Sequence, residues 1–109
     1  MALDLAALIP GMLGAAAGVL DQKWPAARAF AESEFRKTTE NLDLIARLFA
    51  DGEIDEQQAR LLFDLQRSAS RTVLLSLQGI GLIAADEAIN AALGVLKGTV
   101  NAALGFALI

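Results

Sequence analysis

Two stripes with heptad spacing lie on either side of one turn signal, and this arrangement limits what the chain can form. Before the turn, positions four and three residues apart form the stripe Ala31, Phe35, Thr38, Leu42, Ile45 and Phe49. After the turn, the same rhythm passes through Leu62, Leu65, Ala69, Thr72, Ser76, Gly79, Ile83, Asp86 and Asn90. Because such spacing places every member of a stripe on one side of an α-helix, the pattern predicts two helices that face each other as in a coiled coil.

The turn signal lies at residues 51–58. Asp51-Gly52 is typical of a helix end, because glycine readily adopts the left-handed conformation of a C-terminal cap. Asp55 is followed three residues later by Gln58, which is the pattern of a capping box at the start of a helix. The sequence therefore predicts an all-α fold, a long antiparallel helical hairpin with its turn near residues 51–54.

Three further signals are able to break this hairpin into shorter pieces. Pro10-Gly11 and Trp24-Pro25 interrupt the first helix, since proline cannot continue a helix from its N-terminal side. Residues 79–81 place two glycines in the second helix and favour a kink. A compact bundle of four shorter helices is therefore the second interpretation.

Charge divides the 109 residues into three segments of one predicted domain. Residues 1–20 contain one charged side chain, residues 21–71 contain most of the charges, and residues 72–109 contain three. The chain is 55% hydrophobic but only 6% aromatic, so alanine and leucine dominate, as is typical of helices. A net charge of -4 argues against nucleic acid as a partner.

The two apolar ends carry small residues at helical spacing. Glycine pairs four residues apart occur at each end and allow helices to approach closely. An Asn-Ala-Ala-Leu-Gly unit occurs twice, eleven residues apart, so the polar residues of the last helix share an arc of about 60° beside a wide apolar surface. This surface predicts self-association, with the interface residues Gly14, Gly18, Gly79, Asn90, Gly94, Gly98, Asn101 and Gly105.

Charged residues suggest two further contacts. Asp86 and Lys97 share a helix face but lie about 16 Å apart along the axis, so a pair between them is predicted to join two subunits. Arg36, Lys37, Arg67 and Arg71 are predicted to cluster, which would suit an anionic partner. The alternative for this patch is a solvated face balanced by Glu34 and Glu40.

Chemistry at a catalytic or metal centre is not predicted. The chain has no Cys, His or Tyr, so no nucleophilic or acid-base constellation can be assembled around its carboxylates. The acidic stretch DGEIDE at the turn does not match a calcium loop, because Glu56 and Leu62 occupy the positions that need Gly and Glu. No enzyme activity, cofactor or metal is expected.

The predicted function is a non-catalytic structural or scaffold protein whose partner is a second copy of itself. The alternative is a membrane-inserting helical hairpin, such as a small pore or channel component, or a lipid-surface binder. Trp24 beside Lys23 and Arg28 is typical of an interfacial anchor, although no clean run of 18–20 apolar residues is present. Asp4 stands where a signal peptide carries a basic residue, so a cytoplasmic or a membrane-associated location is expected.

Overall fold

The computed structural model describes residues 4–109, so the first three residues of the predicted apolar segment 1–20 lie outside the described residues. The described residues form helices and contain no strand, which confirms the all-α prediction. In chain order they are a 3-10 helix at Leu5–Leu8, α1 at Ile9–Leu20, a 3-10 helix at Asp21–Lys23, α2 at Trp24–Ala50, α3 at Glu56–Leu75 and α4 at Leu82–Leu104.

Each proline lies in the first turn of a helix, Pro10 in α1 and Pro25 in α2. Proline fits there because the first N–H groups of a helix have no partner inside that helix. Between α1 and α2, Asp21 has a φ of 48°, which a residue with a side chain rarely adopts. The chain reverses at this point, and two contacts show it. Leu5 and Asp43 line one surface depression, and Met12 and Phe35 line one internal cavity.

The turn between α2 and α3 has the caps that the sequence predicts. Gly52 has a φ of 75°, in the left-handed region that glycine tolerates. The side chain of Asp55 accepts a hydrogen bond from the backbone N–H of Gln58 at 2.8 Å, and the backbone N–H of Asp55 donates to the side chain of Gln58 at 2.9 Å. The predicted capping box is therefore confirmed.

The second half of the chain is not one helix. It breaks at residues 76–81, where Gly79 has a φ of 87° and Gly81 caps the start of α4. Helix α4 then runs back along α3. Two arms of about 50 helical residues would extend about 75 Å, whereas the longest dimension of the molecule is 43 Å. The chain therefore forms the four shorter helices of the second interpretation, and the long hairpin is wrong.

Helix α4 closes the bundle by packing against α1, α2 and α3, while no Cα atom of α1 lies within 8 Å of one in α3. The sequence predicted a wide open apolar surface on the last helix, but the apolar residues of that surface lie in the core. They are Ile89, Leu93, Leu96, Val100 and Leu104. The accessible surface of 5904 Å² is close to the roughly 5,800 Å² of a compact monomer of this mass. The expectation of a wide open apolar face on α4 is therefore wrong, because four helices cover what a hairpin could not.

Of the two predicted heptad stripes, the one on α2 faces the core and the one on α3 does not. On α2, the predicted stripe faces the core from Ala31 to Ile45, with Phe49 partly buried at its end. On α3, Leu65 is exposed, and the buried positions are instead Ala59, Phe63, Ser70 and Leu74. Helix α3 contacts α4 as well as α2, so its buried side points between these two neighbours rather than at α2 alone.

Candidate interaction surfaces

Four of the glycines predicted to bring helices together lie exposed on α1 and α4. They are Gly14, Gly18, Gly94 and Gly98. A Cβ atom built at any of them meets no atom within 4 Å. Helices α1 and α4 do pack together, but at Gly11, where a built Cβ lies 3.3 Å from a methyl carbon of Val95. The four glycines therefore make no close helix contact within this chain, and their predicted role in self-association stays a prediction.

The outer side of α1 has no charged side chain. Between Asp4 and Asp21 every residue is apolar, proline or glycine, and the exposed positions of α1 are Pro10, Gly11, Gly14 and Gly18. A helix at the surface of a soluble protein normally presents charged and polar residues to water. The outer side of α1 is therefore formed by small, uncharged residues, and we call the exposed glycines of α1 and α4, Gly14, Gly18, Gly94 and Gly98, the α1–α4 face.

Two predicted interface residues instead complete the end of α4. Gly105 has a φ of 81°, and its N–H donates to the carbonyl of Asn101 at 2.9 Å, so it is the C-terminal cap. The side-chain oxygen of Asn101 accepts from the backbone N–H groups of Leu108 and Ile109 at 3.0 and 3.1 Å. Phe106 then packs edge-to-face on Phe49, with ring centroids 5.1 Å apart. These contacts hold the C-terminal residues against the bundle.

Two other predicted interface residues also have contacts within the chain. Gly79 lies in the break between α3 and α4, where a built Cβ would approach the ammonium nitrogen of Lys23 at 2.7 Å. Asn90 accepts a hydrogen bond from Arg67 across the α3–α4 contact. Neither residue needs a second subunit to explain its position.

Asp86 has a partner in its own chain. The Nε group of Arg71 donates to its carboxylate at 2.7 Å, with both side chains about one-third exposed. Lys97 is exposed and makes no ion pair within residues 4–109. The pair of Asp86 with Lys97 between subunits stays a prediction, but Asp86 already has a partner on α3. The sequence could not show this partner, because the helix break at residues 76–81 creates the contact.

The predicted anionic-partner patch is not a free basic surface. Each of its four cations is bound within the chain: Arg36 by Glu32, Lys37 by Glu34, Arg67 by Asn90 and Arg71 by Asp86. Glu34 is thus the local neighbour that the alternative interpretation assigned to this patch. A phosphate or acidic partner would therefore meet cations that already have partners within the chain.

A buried polar cluster between α2 and α3 was not predicted. Glu34 is only 3% exposed. Its carboxylate accepts from the hydroxyl of Ser70 at 3.2 Å, and its backbone carbonyl accepts from Thr38 at 2.9 Å. Beside it is a cavity of about 10 Å³ lined by Thr38, Arg67 and Ser70 among apolar side chains. This volume fits one water molecule and no substrate. One sequence feature could have indicated this cluster: Ser70 lies seven residues after Phe63, so it is on the same apolar side of the helix.

An exposed leucine stripe on α3 was also missed. Leu61 and Leu65 are each 60% exposed, and Leu75 is 38% exposed. At the adjoining end of the bundle Leu82 and Ile83 are exposed as well. Single exposed apolar residues are common on protein surfaces, but aligned ones mark interaction sites.

Residues 4–109 contain no group of three or more acidic, His or Cys side chains able to hold a metal ion. The helical stretch Leu5–Ala50 includes one 18-residue window, with a mean hydropathy of 1.4, that is long and apolar enough to cross a membrane by length and composition. Comparison of the chain with protein-family models, curated proteins and solved structures gives no match.

Proposed function

We propose that this chain is a non-catalytic structural protein that assembles with copies of itself through the α1–α4 face. One observation carries the proposal: the four open glycines, Gly14, Gly18, Gly94 and Gly98, have no neighbour in their own chain. They occur on two helices that pack together, and one of these helices carries no charge at all.

The four open glycines lower the stability of the helices that contain them. Glycine inside a helix destabilises it by roughly 0.5–1 kcal/mol relative to alanine. Four such positions together cost roughly 2–4 kcal/mol, a large share of the roughly 5–15 kcal/mol that stabilises a typical domain. Nothing within the chain uses the space that they leave. Contact with a second copy would use it, because a small side chain lets the backbone of another helix approach closely.

Charges beside the glycines would orient two copies. Lys97 and Glu87 are both exposed on α4, on either side of Gly94. In an antiparallel pair of α4 helices, Lys97 of one copy lies near Glu87 of the other, and the same contact occurs twice. Exposed ion pairs contribute only about 0–1 kcal/mol each, so they would select the register of the assembly rather than its strength.

Light scattering coupled to size-exclusion chromatography tests the proposal. We expect the parent protein to have a mass that is a multiple of 11.5 kDa. Gly94→Gln combined with Gly98→Gln should lower that mass without loss of helix content, because both positions are exposed, a Cβ there meets no atom within 4 Å, and the new side chains block a close partner. Ala29→Gln, at an exposed position on α2, is the matched control. A parent mass of 11.5 kDa at micromolar concentration, or an unchanged mass in the glycine variant, would contradict the proposal.

Insertion into a membrane is the second candidate, and the apolar window in Leu5–Ala50 favours it. In the bundle, however, α1 has 12 residues and extends about 18 Å, short of a hydrocarbon core of about 30 Å. The bundle would therefore have to open for a helix to cross. Fractionation without detergent separates the two candidates, since recovery of the whole protein in the membrane pellet supports insertion and a discrete soluble assembly supports self-association.

A further inference from the structure

Helix α3 has a second heptad stripe on the side that faces away from the core. Its members are Leu61, Leu65, Ser68, Thr72 and Leu75, spaced four, three, four and three residues apart, and all are exposed. The core-facing side of the same helix is a different set, which includes Ala59, Phe63, Ser70 and Leu74. The outer stripe has no partner helix within the described residues. We propose that it pairs with α3 of a second copy, in the antiparallel direction.

The side chains of the outer stripe are complementary to themselves in one antiparallel register. That register places Leu61 against Thr72 of the second copy and Leu65 against its Ser68, and twofold symmetry repeats both contacts. A large side chain then faces a small one at each position, which allows the knobs-into-holes packing of a two-helix coiled coil. Leu75 of one copy reaches the open depression of about 390 Å³ that Gln58 and Leu61 line on the other.

Charges beside the stripe favour the antiparallel direction. Asp64 and Arg71 flank the stripe on the side nearest α4, and the proposed register brings Asp64 of each copy to Arg71 of the other. Asp64 is exposed and makes no ion pair within residues 4–109. Arg71 uses its Nε group for Asp86, and its two terminal nitrogens make no hydrogen bond to the described residues. A parallel pair would instead place Asp64 beside Ala69, with no opposite charge.

The outer stripe of α3 is separate from the α1–α4 face, since no Cα atom of α1 lies within 8 Å of one in α3. A molecule that contacts copies of itself through two different twofold surfaces forms an assembly larger than a dimer, either a closed tetramer or an open chain. This consequence rests on the proposed function, whereas the pairing of α3 with α3 does not.

Cysteine cross-linking tests the pairing and its direction. The parent chain has no Cys, so each introduced thiol is unique. We expect a mixture of Leu65→Cys and Ser68→Cys proteins to form a disulfide-linked dimer under mild oxidation more than tenfold faster than either protein alone, because disulfides need Cβ atoms about 3.5–4.5 Å apart. Glu40→Cys mixed with Ser68→Cys is the control, because Glu40 lies on the other side of α2, beside Leu5.

Two results would overturn the inference. A mixture that cross-links no faster than the Glu40→Cys control shows that the α3 helices do not meet. Faster linkage of Leu65→Cys to itself and of Ser68→Cys to itself shows a parallel pair instead. Both results leave the α1–α4 face untouched, so they are distinct from failure of the proposed function.

Mass measurements provide an independent check. In the background of Gly94→Gln and Gly98→Gln, we expect the protein to remain a dimer, with twice the mass of 11.5 kDa. Addition of Leu65→Lys should reduce it to the single-chain mass, whereas Leu44→Lys, at an exposed leucine of α2, should not. If the Leu65→Lys protein keeps the dimer mass with normal helix content, the outer stripe of α3 is not an interface.

Discussion

Replacement of the open glycines of α4 by alanine should stabilise the single chain. A Cβ atom at Gly94 or Gly98 meets no atom within 4 Å, so alanine introduces no clash. Alanine is also favoured over glycine inside a helix by about 1 kcal/mol. The double variant Gly94→Ala/Gly98→Ala should therefore gain about 2 kcal/mol in the free energy of unfolding. Had these glycines been close contacts within the chain, the same change would lower that free energy.

The expected shift in melting temperature follows from chain length. An unfolding entropy of about 2.1 cal/mol/K per residue gives about 0.23 kcal/mol/K for a chain of 109 residues. A gain of about 2 kcal/mol then raises the melting temperature by about 9 °C. The measurement must be made on the single chain, because association would add its own stability.

Fluorescence of Trp24 provides the assay. It is the one tryptophan of the sequence and it is half-buried. Its fluorescence is measurable at submicromolar concentrations, and dilution favours the single chain. Gly105→Ala is a control that should lower the melting temperature. A φ of 81° is strained for alanine, so this change should reduce the free energy of unfolding by about 1–2 kcal/mol. A lower melting temperature for Gly94→Ala/Gly98→Ala at this dilution would refute the reasoning, because it would show that the glycines contact other parts of their own chain.

Three further tests concern a helix cap, the core and an ion pair of the bundle. Asp55→Ala should lower the free energy of unfolding by about 1 kcal/mol, measured by urea titration, because it removes the capping box of α3. Phe63→Ala should cost about 3–5 kcal/mol because Phe63 is buried, whereas Leu65→Ala should change single-chain stability by less than about 0.5 kcal/mol. Equal effects of these two changes would contradict the orientation of α3. Arg71→Met should cost about 1 kcal/mol through loss of its carboxylate partner on α4, whereas Lys97→Met should leave the thermal melt of the single chain unchanged.

Local signals in the sequence determined the helical class and several helix ends. Asp55 and Gln58 are three residues apart, so their mutual hydrogen bonds depend on nothing outside one turn. Gly52 supplies the positive φ of the preceding turn for the same local reason. Both prolines lie in the first turns of helices, as their missing N–H groups require. These features are readable because each is an interaction within a few residues.

The buried side of α2 was also readable, whereas that of α3 was not. Helix α2 carries one apolar stripe, and Phe35, Leu42 and Ile45 follow it into the core. Helix α3 carries two heptad stripes with leucine or phenylalanine in each. Spacing alone shows that both exist but does not show which one faces the neighbouring helices. The packing of α4 against α3 determines which stripe is buried, so that Phe63 lies in the core and Leu65 is exposed.

The candidate surfaces depended most on tertiary structure. The break at residues 76–81 turns α4 back along α3, which joins Asp86 to Arg71 and Asn90 to Arg67. It also buries the apolar side of α4 that a straight helix would have left uncovered. The sequence identified Gly14, Gly18, Gly94 and Gly98 as unusual, because glycine inside a helix is costly wherever the helix lies. Only the packing of four helices shows that these glycines point away from their own chain, since which side of a helix stays open is a property of its neighbours.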